Sequence, residues 1–509
     1  MKTAILLFAV SILAWADDNA SVLARILAEK GTISAAELAQ VESVAPGDRL
    51  QMLTALLENR GLLTPAEVAR VNGQPEANAP LVAHDGGRGN VQPDRSAPKV
   101  PASSVNTTGP VSVDSLRHDD PQVPAQPTTA PGAPVTARGR FPVSVYGTVL
   151  FNSIFDTAQM NITDIPLFPV KPDALGDDKS FSMTARQTRL GLRFDGPELI
   201  DARLSGQVEI DFLGGKAPFG NGVDMDLLRL RLAFGRLDWD HWSLEGGQDW
   251  VIFAPLNPTS YAQYAIPSMS ASGNLWIRLP QLRVEYHNAN LLAQFAAIDP
   301  NMGDYNTAVF SATRPVGIGE RGRAPGAEAR FAYTAKQDDR DFTIGISGHY
   351  GHGKNSGTVG NITEQLPLNS WGAAIDFSLP FTKVFNLSGE AYTGRALGIF
   401  SGESGEAIEP VGIPGDVGVR SSGGWAQAEF NFTPKWQVNL VYGIDDPSVH
   451  DLPVGARGRN QSYMGNLIWK YTPHFNIAWE YRQILTNFVN LPSATLHGGT
   501  ANLAFIYLF

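Results

Sequence analysis

Cysteine is absent from all 509 residues, which excludes disulfides, thiolate metal sites and a cysteine nucleophile. Long apolar runs are nearly as scarce. The run from Ala4 to Trp15 is too short to span a bilayer, and nothing later reaches the ~18 consecutive apolar residues a transmembrane helix needs. Positive charge is in deficit, with 39 Lys and Arg against 50 Asp and Glu and a net charge of −11. That balance argues against nucleic acid as a partner and supplies no polybasic membrane anchor. Aromatics are missing from residues 17 to 140; the first after that gap is Phe141, and nine of the ten tryptophans lie beyond it.

These absences divide the chain. Lys2, the apolar run and Ala14-Trp15-Ala16 have the form of a signal peptide over residues 1–16, with a mature start at Asp17. Residues 17–72 carry a helical repeat in which RILAEKGTISAAELAQV (25–41) aligns without a gap with ALLENRGLLTPAEVARV (55–71). Each copy ends a helix at a glycine, Gly31 or Gly61, and restarts it with a capping box, Ser34 to Glu37 or Thr64 to Glu67. Pro65 sits at the first helical position. Such a segment makes a small bundle without chemistry, or a periplasmic element that binds a partner or helps oligomerise. Residues 73–140 hold eleven prolines and no aromatics, too little apolar mass for a core, and so predict a disordered tether.

From residue 141 to 509 the period changes to two. Val208, Ile210 and Phe212 alternate with Gln207, Glu209 and Asp211; Leu228, Leu230, Leu232 and Phe234 alternate with Arg229, Arg231, Ala233 and Gly235. At the carboxyl end Ala501, Leu503, Phe505, Tyr507 and Phe509 share one face, and Phe505, Tyr507 and Phe509 have the form of a barrel-assembly signal. A water-soluble sandwich also alternates. The tight turns decide otherwise: LDWDHW, LPFTKVF, FTPKW and YTPHF are each bracketed by large aromatics, the pattern of an interfacial girdle. Tight turns near 198, 240, 288, 338, 382, 434 and 473 alternate with long connections over 157–180, 214–225, 252–273, 299–324, 352–366, 398–422, 446–459 and 486–495. Seven tight turns and eight long loops predict an all-β, antiparallel transmembrane barrel of about sixteen strands, in contact with outer-membrane lipid and wide enough for an aqueous lumen.

On this register Arg189, Arg193, Arg203, Arg229, Arg231, Arg278, Arg283 and Arg330 fall opposite the apolar face, together with Glu209 and Asp211. Glu245, Asp249 and Glu285 share that interior, and Asp376, Glu390, Glu429 and Glu480 mark its second half. Two readings stand: an arginine wall that attracts anionic solutes, or a lattice of ion pairs that keeps the wall hydrated. The third long loop, Ala254 to Asn274, has almost no charge, and its Pro255, Tyr261, Tyr264 and Pro267 suit a compact segment that narrows the lumen. No local Ser–His motif points to an enzyme. His349 and His352 in HYGHGKNSG have the pattern of a solvated loop tip, so neither metal nor cofactor is expected.

FPVSVYGTVLFNSIFD, ARQTRLGLRFDG, QVEIDFLGG and LRLRLAFGRLDWDHWSLEGGQDWVIF together resemble the DcaP-like trimeric outer-membrane porins, through Arg189, Gly191, Asp211, Arg229, Arg231, Gly247, Gln248 and Trp250. The resemblance implies a sixteen-stranded homotrimer in the outer membrane of a Gram-negative bacterium, inserted by the barrel-assembly machinery, with residues 17–140 in the periplasm. It implies passage of small organic anions such as dicarboxylates. Where that family has coiled-coil heptads, this chain has its thirty-residue repeat. A more distant resemblance is to the phosphate-selective porins. General diffusion, and a structural barrel anchoring a periplasmic partner, are the alternatives.

Overall fold

The computed structural model describes residues 24–25, 27–28, 32–44, 49–60, 142–171, 179–216, 226–302, 316–359, 362–402, 418–489 and 495–509. It divides the chain into two units, 1–107 and 108–509. The signal peptide, the tether and the second capping box lie outside the described residues.

In the first unit α1 (Ala35–Ser43) and α2 (Arg49–Asn59) pack through Ala24, Leu27, Ile33, Val41, Leu53 and Leu57. The expected cap of α1 is formed. Glu37 N–H donates to Ser34 Oγ at 3.3 Å, and Ser34 N–H donates to the Glu37 carboxylate at 2.6 Å. The same carboxylate takes a fork from Arg60 at 2.7 and 3.0 Å, which ties the end of α2 to the start of α1.

The second unit is one closed antiparallel sheet. Its strand segments are β1 (Val143–Asp156), β2 (Ser180–Thr184), β3 (Arg189–Leu199), β4 (Ala202–Asp211), β5 (Arg229–Asp238), β6 (Trp242–Trp250), β7 (Arg278–His287), β8 (Leu291–Ile298) and β9 (Gly326–Gln337). They continue with β10 (Arg340–Val359), β11 (Ile362–Leu379), β12 (Phe385–Arg395), β13 (Arg420–Thr433), β14 (Trp436–Pro447), β15 (Arg457–Thr472), β16 (Phe475–Phe488) and β17 (Thr495–Leu508). β2 and β3 pair in succession with the two halves of β1, so they are one membrane strand interrupted at residues 185–188. Sixteen strands therefore circle the barrel, and β17 closes it on β1 from Thr148↔Leu508 to Asp156↔Thr500. Closure leaves no sheet edge, as a bilayer requires.

All seven tight turns fall where the alternation puts them. At the 199–202 turn Ile200 and Asp201 both have positive φ, 50° and 59°, the twist a two-residue hairpin needs. One long connection is corrected. Residues 352–359 and 362–366 are not a loop but the end of a ladder, because β10 and β11 stay paired to Val359↔Ile362. The glycines in that stretch hid the strand from the alternation.

Apolar side chains cover the outer surface: Val149, Phe151, Leu190, Leu230, Phe331, Ile346 and Leu440 are all exposed. Aromatics ring the tight-turn end, paired directly across strands as Phe385↔Phe430 and Trp436↔Trp469, with ring centroids 5.1 and 5.4 Å apart. Tyr442↔Tyr463 and Trp371 stand toward the other end. Two aromatic girdles around an apolar belt are the outer surface of a membrane barrel. Among the described residues no helix is long and apolar enough to cross a membrane.

Candidate functional site: a paired arginine wall and the loop packed against it

β3, β4 and β5 carry the first cluster. Arg189 lies opposite Asp211, and Arg229 lies opposite the same carboxylate from the other side. Arg229 forks onto Asp211 at 2.5 and 3.0 Å. Arg231 reaches Glu209 at 2.6 Å and Asp211 at 3.1 Å. The bidentate geometry suits guanidinium and fixes both side chains.

Arg231 faces the lumen beside Arg229, two residues along, and is the extra residue of a β-bulge. Glu209 pairs with Leu232 and Ile210 with Leu230, leaving Arg231 between them. The bulge inverts the facing of the rest of β5. Leu232 and Phe234, expected on the lipid side, lie opposite the lumen residues Glu209 and Gln207, and Leu232 is buried. The same inversion brings Arg236 inward, a residue that unbroken alternation places outside. It joins Asp238 at 2.7 Å, Glu245 at 3.2 Å and Glu285. Arg283 shares that second cluster, bonding Glu245 at 2.6 Å, Asp249 at 2.8 Å and Glu285 at 2.9 Å.

The other expected residues are dispersed. Arg330 forks onto Asp376 at 2.7 and 3.1 Å. Arg193 is exposed over the Tyr146 ring at 4.5 Å, and Arg203 is exposed near the tight turn. Arg278 stands at the root of the third loop, stacked on Trp250 at 4.4 Å and Trp276 at 5.1 Å. It lies within electrostatic range of Arg189, Arg229, Arg231 and Asp211.

The third loop, residues 251–277, lies inside the barrel. Asn152 on β1 donates to Tyr261 O at 2.9 Å, and Asn476 on β16 donates to the Tyr261 hydroxyl at 3.1 Å. Tyr261 and Tyr264 pack on an apolar island of Leu150, Ile468, Ala478, Ala504 and Ile506. Pro255 and Pro267 are buried in the same loop. Carboxylates of the barrel wall hold it. Glu328 accepts from Ile252 and Phe253 N–H at 3.0 and 3.3 Å, Glu390 from Leu256 N–H at 2.5 Å, and Glu480 from the Ser260 hydroxyl at 2.7 Å. Gln187, in the interruption between β2 and β3, accepts from Tyr264 and Ala265 N–H at 2.8 and 2.9 Å and donates to Ala262 O at 2.8 Å. On β16, beside Glu480, Arg482 donates to Gln263 at 2.5 Å.

Two expectations are corrected here. Arg189, Arg229 and Arg231 do not stand open to water: carboxylates hold Arg229 and Arg231, all three donate to loop carbonyls, and of the three only Arg229, with 25% of its side chain exposed, keeps an open edge. His349 and His352 do not form a solvated tip. Both lie within β10, and His349 is buried between Glu328 at 3.3 Å and Ser370 at 3.1 Å. Assignment of YGHG to a loop caused that error. Arg482 was legible, since it alternates with Tyr481 and Trp479; Gln187 and Arg236 were not, because each depends on a break in its strand.

A closed sixteen-stranded barrel with an inward-folded third loop defines a porin-type fold. Among solved structures the chain is similar to the outer-membrane channel DcaP of Acinetobacter baumannii, at 18% identity over 72% of this chain and 97% of that one, with a TM-score of 0.55. This matches in fold the resemblance seen in the sequence. It is also similar to an anion-selective porin from Comamonas acidovorans (14% identity, 73% and 100% covered, TM-score 0.47) and to Salmonella typhi OmpF in complex with daunomycin (15%, 72% and 98%, TM-score 0.46). No family model and no curated protein sequence matches the chain.

Proposed function

We propose that this protein is an outer-membrane porin for small hydrophilic solutes, with a preference for organic anions such as dicarboxylates. One observation carries the anion preference: four guanidinium groups, those of Arg189, Arg229, Arg231 and Arg278, gather around two carboxylates, Asp211 and Glu209. The local balance favours positive charge by two, at the place where the third loop meets the wall. In a lumen with low-dielectric walls such an excess attracts anions, and the guanidinium fork matches a carboxylate. The paired acids weaken the attraction enough for release.

A membrane location follows from the apolar belt and girdles, and a Gram-negative outer membrane is the setting for barrels of this kind. The homotrimer rests on the DcaP-like resemblance, as does the placement of residues 17–140 in the periplasm. The test is swelling of liposomes carrying the full-length protein. Succinate should enter faster than a neutral sugar of similar size, and a cationic solute slowest. Equal rates for all three would leave a general-diffusion channel; no swelling would end the porin reading.

A further inference from the structure

The third loop does more than narrow the lumen. A loop lining an open pore keeps one face wet, yet from residue 251 to 275 only Leu256, Thr259 and Ile266 retain partial exposure. Its backbone is bonded to opposite walls of the barrel, by Glu328 and Glu390 on one side and by Asn152 and Gln187 on the other. Residues 268–274 then return across the lumen: Ser272 Oγ lies 2.9 Å from Ser462 Oγ on β15. A Cβ at Gly273, where φ is +100°, would come within 2.2 Å of the Gly424 carbonyl. Elsewhere in the loop Ala254, Met269 and Ala271 also hold positive φ, a conformation kept only where surrounding bonds impose it.

What the loop presents to the arginines is specific. The Tyr264 carbonyl accepts from Arg189, and the Ala265 carbonyl accepts from Arg229 at 2.8 Å and Arg231 at 3.4 Å. Two adjacent carbonyl oxygens thus take guanidinium donors that the oxygens of a carboxylate would take, and a charged acceptor bonds them more strongly than a neutral one. We infer that the third loop is a solute-displaced plug: a small dicarboxylate arriving at the open edge of Arg229 takes over the arginine donors from Tyr264 O and Ala265 O and releases the loop from the β3–β5 wall. This rests on the porin reading. The differential interaction that shifts the equilibrium is the exchange of carbonyl for carboxylate at the guanidinium groups, since only the displaced state offers them to the solute.

The plug and a permanently open arginine-lined pore give opposite signs. In an open pore, succinate bound at the arginines obstructs chloride and lowers the current. With a plug, it raises the current. Full-length protein in planar bilayers under constant potassium chloride should therefore show a several-fold rise in conductance on adding millimolar succinate. Because the chain has no cysteine, the pair Ser272→Cys and Ser462→Cys gives an oxidisable lock at a 2.9 Å contact. The oxidised lock should not respond to succinate, and reduction should restore the rise. Succinate that lowers or leaves unchanged the wild-type current overturns the plug, as does an oxidised lock that responds like its reduced form; both leave the channel itself standing. Absence of ion current from wild-type and reduced protein alike, with or without succinate, overturns the plug and the porin together.

Discussion

Arg231 and Arg278 carry the same charge under different constraints. Arg231 is fully buried between Glu209 and Asp211, so Arg231→Ala removes the Glu209 ion pair, leaves Asp211 with Arg229, and should cost about 3–5 kcal/mol. The loss would show as a lowered temperature for conversion of the folded, heat-modifiable band on SDS gels. Arg278 has aromatic neighbours and no carboxylate within ion-pair distance among the described residues. Arg278→Gln should keep the band's transition temperature near wild type while lowering the preference for succinate over a neutral sugar in liposome swelling. An unchanged preference would show that Arg278 adds nothing to the anion field. Arg231 and Asp211 were legible as inward residues from alternation alone. Their pairing was open in the pattern as one of two readings; which acid each arginine meets was not, because distances within a lumen depend on strand stagger, and stagger leaves no mark in the residue pattern.

Local chemistry at the scale of one element decides both α1 and the third loop. The Glu37 carboxylate is held below the usual range by its hydrogen bonds to the Ser34 hydroxyl and backbone N–H, with Arg60 adding to the effect. A carboxylate whose folded pKa is depressed stabilises the helix above its unfolded value of 4.5, and that contribution is lost as pH falls through the lower folded pKa. Hydrogen exchange across residues 32–44 of the full-length protein, corrected for intrinsic rates, should therefore accelerate below pH 4.5. Glu37→Gln should flatten that dependence. In the loop, Gln187→Ala removes the acceptor for two buried N–H groups, at about 1–3 kcal/mol for each left unsatisfied. Larger fluctuations of open-channel current are expected from this variant, since the freed N–H groups belong to the loop and the barrel ladders do not involve the Gln187 side chain. Strand alternation located the loop and its neighbours but not Gln187, whose role comes from the four-residue interruption between β2 and β3. A β-bulge shifts the register by a residue without altering composition, which is why the sequence pattern lost Arg236 while keeping Arg189 and Asp211.

Across the whole molecule the barrel was readable because a bilayer constrains strands so tightly. Each must show lipid an apolar face, end at an aromatic girdle and close the sheet, so alternation and turn spacing gave sixteen strands, with the β10–β11 hairpin misjudged only where glycines replace apolar residues. Protease added to intact cells should cut in the long connections and spare the tight turn at Lys435. The central claim is that solutes cross this lumen under a field that favours anions. Its most direct measurement is the reversal potential of the full-length protein in a planar bilayer between unequal concentrations of potassium succinate. An anion-selective channel gives a potential of the sign set by succinate, which moves toward zero in Arg278→Gln; a potential of the sign set by potassium would contradict the arginine cluster as the source of selectivity.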